Sequence, residues 1–66
     1  MKSEDCIVYE TLTHWVEDCG NGLFKIWRIG MTHSTLTGTV HYSNDPQRAK
    51  ERAIQQCILR TETEIR

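Results

Sequence analysis

Two β-rich runs flank Asn21-Gly22, and their alternation organises the first half of the chain. Asn-Gly between such runs favours a two-residue type I′ hairpin, because both residues tolerate positive φ. With Gly20 opposite Leu23, the register pairs Asp18 with Lys25, Val16 with Trp27, His14 with Ile29 and Leu12 with Met31. Thr32-His33-Ser34-Thr35 then leads into another β-like run, Leu36 to Tyr42. Setting Met31 against Leu36 places Trp27 opposite Val40 and Lys25 opposite Tyr42. Strand parity predicts two faces. Val8, Leu12, Val16, Leu23, Trp27, Ile29, Met31, Leu36, Val40 and Tyr42 form the expected core face. Tyr9, Thr11, Thr13, Trp15, Glu17, Phe24, Ile26, Arg28, Thr37, Thr39 and His41 form the other.

The period changes after Tyr42. Asp45 suits an N-cap, its carboxylate accepting from orphan backbone N–H groups, and Pro46 suits the first helical position. Ala49, Ala53, Ile54, Cys57 and Ile58 recur on one side of that helix, with Arg48, Glu51, Arg52, Gln55 and Arg60 mostly on the other. Small alanines near its start allow close approach to a sheet, and the tail from Thr61 shows no pattern. The expected fold is α+β: three antiparallel strands, at about 6–18, 23–31 and 36–42, packed on one C-terminal helix at about 46–60. Residues 3–19 also fit helical spacing, with Ser3 as N-cap and Gly20 beyond the end, so strand and helix both stand open there.

The stretch from Tyr9 to Leu59, read as β-β-β-α, resembles the later part of a double-stranded-RNA-binding domain. The similar features are Tyr9 and Leu12 in the first strand, Gly20 at the turn and Phe24-Lys25-Ile26-Trp27-Arg28-Ile29-Gly30 in the second. Thr37-Gly38-Thr39 follows in the third, with Ala49-Lys50, Ala53-Ile54 and Cys57-Ile58 on the helix. The resemblance implies the sheet-plus-helix fold. The chain departs from the family in having eight residues before Tyr9, where the family has a helix. It also lacks the family's loop histidine, and Asp45-Pro46-Gln47-Arg48-Ala49-Lys50 replaces the basic helix start. Those departures remove most of an RNA-reading surface.

Composition narrows the function classes. With 66 residues, one domain over 1–66 is expected, burying only about 60% of its unfolded surface. A partner or a self-dimer is the cheapest further source of stability. A net charge of −1 and a pI near 6.3 argue against a dedicated nucleic-acid binder. Three cysteines without framework spacing fit a reducing compartment, and no apolar leader or long apolar run is visible, so the expected location is the cytoplasm.

Cys6, Cys19, Cys57, His14, His33 and His41 are potential metal ligands, yet none form the close pairs of a zinc site. No Gly-rich phosphate loop or paired acids are present. The expectation is therefore no enzyme, no metal, no cofactor and no small-molecule substrate. The informative feature is the second sheet face. Trp15, Phe24, Ile26, Arg28, Thr39 and His41 combine aromatics, arginine and threonine as interface cores do. This predicts an interaction module that binds a protein partner or a second copy of itself. Regulators and inhibitors of this size are common among the small proteins of phages and mobile elements, including anti-CRISPR proteins. The alternative is a nucleic-acid-binding domain using the sheet and helix start, with contacts from Lys25, Arg28, Arg48, Lys50 and Arg52.

Overall fold

The computed structural model describes residues 6–65. Four strands and one helix follow each other along the chain: β1 (Ile7–Glu10), β2 (His14–Gly20), β3 (Leu23–Arg28), β4 (Thr35–His41) and α1 (Pro46–Ile65). The strands pair antiparallel in the order β1-β2-β3-β4. The α+β class stands, with a C-terminal helix packed on an antiparallel sheet. The sheet has four strands where three were expected.

The fourth strand comes from a break in the expected run 6–18. The Thr11 hydroxyl accepts from the Thr13 and His14 backbone N–H groups at 3.3 and 3.0 Å. The Thr11 N–H in turn donates to the His14 carbonyl at 2.7 Å. A threonine side chain thus closes the turn that glycine would otherwise make. Leu12, expected in the core, lies exposed at its tip. Over its described part, the segment 3–19 is strand and turn rather than helix; Ser3 lies outside the described residues.

The Asn21-Gly22 turn forms as expected, with φ of 55° and 77° and Gly20 opposite Leu23. One residue earlier the ladder slips. Gly20 also has positive φ, 84°, and its N–H donates to Asp18 Oδ1 at 2.8 Å. Cys19 is left as an extra residue, a β-bulge, so Asp18 faces Phe24 rather than Lys25. Glu17 then pairs with Lys25, Val16 with Ile26, Trp15 with Trp27 and His14 with Arg28. A slip of one residue exchanges the faces of one strand relative to its neighbour.

Two further bulges follow the same logic. Between β3 and β4, Thr37 is the extra residue, its hydroxyl donating to the Ile26 carbonyl at 3.1 Å. Phe24 consequently pairs with Val40, Ile26 with Gly38 and Trp27 with Leu36. Between β1 and β2, Val8 is extra. The third strand ends at Arg28 instead of running to Met31, leaving 29–34 as a loop.

These slips correct the expected faces. Val16, Phe24 and Ile26 are buried against Ala49, Ala53 and Cys57, with Val8, Tyr9 and Val40 packed around them. Trp27 and Leu36, expected in this core, belong to the opposite face. Burying a side chain such as Ile26 is worth roughly 1.5–3 kcal/mol, and the small residues on α1 let the helix approach closely enough to collect it. Asp45 caps α1 as expected, its Oδ1 accepting from the Arg48 N–H at 3.1 Å. The helix continues past 60 to Ile65 because Thr61 extends the buried stripe of Ala49, Ala53 and Cys57. Its hydroxyl is satisfied by the Cys57 carbonyl at 2.8 Å and shared with Thr11 at 2.6 Å.

Candidate functional site

The face of the sheet away from α1 carries two tryptophans from adjacent strands. Trp15 and Trp27 stack with ring centroids 5.5 Å apart and planes 12° apart. Both indole N–H groups are satisfied, as buried indoles require. Trp15 Nε1 donates to Ser34 Oγ and Trp27 Nε1 to Glu17 Oε1, each at 3.1 Å. The loop after β3 closes over one side of the pair, and Ser34 fastens its far end to Trp15. Together they outline a half-open depression of about 560 Å³, lined by Trp15, Glu17, Trp27 and residues 29–34. Ile29 and Met31 on this loop are exposed, as is Leu36 beside Trp27.

The expected site residues divide among three places. Trp15 lies on the helix-free face but is only 3% exposed, and its ring stacks on that of Trp27. Thr39 and His41 are exposed on β4, with Thr39 paired to Lys25. Phe24 and Ile26 are corrected: the bulge at Cys19 turns the ladder so that both lie buried beneath α1. Arg28 stands at the end of β3 and forms an ion pair with Glu64 of α1. That pairing raises the arginine and holds the Glu64 carboxyl below its ordinary range. Arg48 and Arg52 are exposed on α1, and Lys50 is half-buried. Sequence reasoning missed Trp27, Glu17 and the loop 29–34 as partners of Trp15.

Between sheet and helix lies a small polar cluster. His14 Nδ1 is 2.7 Å from Thr13 Oγ1 and 3.5 Å from Thr61 Oγ1, which also meets Thr11. Burial pushes the His14 imidazole below its ordinary value and the Cys57 thiol above its own. Hydroxyls occupy the positions around both groups, so this cluster ties the two layers together. Among the described residues, no group of three or more His, Cys, Asp or Glu converges as metal ligands would.

No family model matches the chain, and comparison with curated proteins and with solved structures returned no match. The sheet and single helix contain nothing that singles out a double-stranded-RNA-binding domain. Among the described residues, no helix is long and apolar enough to cross a membrane.

Proposed function

We propose that the chain is a non-enzymatic interaction module, a regulator or inhibitor that binds a protein partner through the helix-free face of its sheet. The observation that carries this reading is the depression beside the tryptophan stack. An aromatic floor rimmed by exposed Ile29 and Met31, with exposed Leu36 paired beside Trp27, has the composition of an interface centre. The loop rim and the indole floor suit an apolar anchor side chain from the partner, whose burial would also help stabilise so small a domain. The nucleic-acid alternative draws less support. Lys25 lies on the helix-free face, Arg28 is held by Glu64, and Arg48 and Arg52 belong to a different side of the molecule.

Paired affinity purifications of the tagged protein and its Met31→Asp/Leu36→Asp variant, from cells of its native source, test the proposal. Both substitutions fall on exposed side chains, so circular dichroism is expected to be unchanged. A stoichiometric protein retained by the parent and lost from the variant supports the reading. A partner retained equally by both, or recovery of nucleic acid alone, overturns it. Sedimentation of the purified protein tells whether the occupant is a second copy.

A further inference from the structure

A second surface lies along the opposite layer, where α1 runs beside the edge strand β4. Arg48, Arg52, Gln56 and Arg60 follow each other at four-residue spacing, which sets them about 6 Å apart in one row. Arg48 lies beside Tyr42, its guanidinium 6.0 Å from the ring centroid. Further along, Arg52, Gln56 and Arg60 line a groove with Ile26 and residues 38–42, and no carboxylate among the described residues contributes to it. Asp45 and Glu64, at the two ends of the row, are already engaged: Asp45 caps α1, and Glu64 holds Arg28; Glu51, between Arg48 and Arg52 in the chain, does not line the groove. Arg48, Arg52 and Arg60 have no ion-pair partner among the described residues.

Two details mark this groove as incomplete. Arg60 Nε is buried with no acceptor among the described residues, although a buried guanidinium N–H without a partner is costly. A methyl group built on Gly38 would lie 2.9 Å from an Arg60 terminal nitrogen. The missing side chain at Gly38 is what lets that guanidinium lie over the strand. The second detail is the strand itself. Among the described residues β4 pairs only with β3, so its outward N–H and C=O groups present an unpaired sheet edge.

We propose that this edge binds an extended acidic peptide as a fifth strand, with its carboxylates on the arginine row. In an added strand every second side chain faces α1, about 6.6 Å from the next. That interval nearly matches the arginine repeat. With acidic residues at alternate positions, the carboxylates at i and i+4 meet Arg52 and Arg60, the one at i+2 accepts from the Gln56 amide, and main-chain bonds to β4 hold the register. Carboxylates supply the acceptors that Arg60 lacks, in charge-assisted hydrogen bonds. This surface is separate from the tryptophan depression, and neither proposal depends on the other.

The test uses fluorescence anisotropy with a labelled ten-residue peptide of alternating glutamate and threonine. A peptide of the same length and charge carrying prolines in place of half the threonines serves as control, as does a single-stranded oligonucleotide of equal charge. The expected result is salt-sensitive binding of the first peptide only, together with slowed hydrogen exchange at the β4 amides that do not bond to β3. Arg52→Glu, an exposed substitution, should weaken binding by about tenfold or more, as should Arg60→Gln if its circular dichroism is unchanged. Met31→Asp should leave the affinity unaltered. Failure of the peptide to bind, binding without protection of β4, or tighter binding of the oligonucleotide through the same arginines each overturns the proposal.

Discussion

Trp15 and Trp27 are cross-strand partners whose rings stack face to face across the centre of the helix-free surface. Their meeting depends on Cys19, because without that extra residue Trp15 would stand opposite another side chain. The stack is at once a second small core and the floor of the proposed binding depression. Trp15 is almost wholly buried in it and Trp27 about half so, which gives the two indoles different weights.

Trp15→Ala is expected to cost about 3–5 kcal/mol and to unfold much of the population, whereas Trp27→Ala should cost less. Phenylalanine at either position should abolish the exciton couplet of the stacked indoles while retaining the sheet signal. Denaturant titrations and circular dichroism read both effects. If Trp27→Ala proves the more destabilising, the deeper burial of Trp15 within the stack is contradicted.

The glycines of the hairpin separate backbone strain from steric room. Gly20 and Gly22 both have positive φ, but a side chain at Gly20 meets open space, whereas at Gly22 it collides with the Tyr42 carbonyl. Gly20→Ala should therefore cost only the left-handed penalty of about 1–2 kcal/mol. Gly22→Ala should cost distinctly more, because it also breaks the 3.1 Å bond from the Tyr42 N–H to the Gly22 carbonyl. Equal midpoints of urea unfolding for the two variants would contradict this packing.

Acid should weaken the fold through His14. Burial is the main cause of its lowered pKa; Glu64 opposes the shift, and Arg60 and Arg28 reinforce it. As pH falls through the ordinary histidine value of 6.5, the unfolded chain takes up a proton that the native state refuses. Stability is then lost down to the native pKa and levels off below it. Unfolding free energies measured between about pH 8 and about pH 5 should show this loss, and His14→Gln should flatten it. An unchanged slope in that variant would remove His14 as the cause.

The thiols should differ in access. Burial raises the pKa of both Cys57 and Cys19, with Glu17 adding to the effect at Cys19, but only Cys19 is exposed. In a Cys6→Ser/Cys19→Ser variant, a thiol-reactive dye should label Cys57 only as fast as the fold opens, with a rate that climbs with denaturant. Labelling in native buffer at the unfolded-state rate would mean that Cys57 is not sealed beneath the sheet.

The sequence displays some of these relationships and hides others for a definite reason. Asn21-Gly22, the Asp45-Pro46 helix start and the Ala49–Ala53–Cys57 stripe are local signals, and the structure contains all three. Bulges are different, because an extra Val8, Cys19 or Thr37 leaves hydrophobicity and β-propensity untouched while reversing the parity beyond it. Phe24 and Ile26 were expected outside, and Trp27 inside, on that account alone. A signal did exist: Gly20 directly before Asn21-Gly22 makes three consecutive residues suited to positive φ, one more than a plain two-residue turn needs. Thr11 gave a fainter one, since a Thr-Leu-Thr segment reads as β-strand until its hydroxyl is seen closing a turn. The arginine row was visible as spacing, but its proximity to an open sheet edge required the layers to be assembled.

The bulge at Cys19 also fixes what kind of change the chain can tolerate. The loop 29–34 can lengthen or shorten with local effects, since no strand parity is counted across its length. Removing one residue between His14 and Gly22 would instead ask histidine and valine to trade places with tryptophan and glutamate along the whole arm. In this hairpin the number of residues is therefore a stricter inheritance than their identities, and a redesign that preserves every property except that count would build a different molecule.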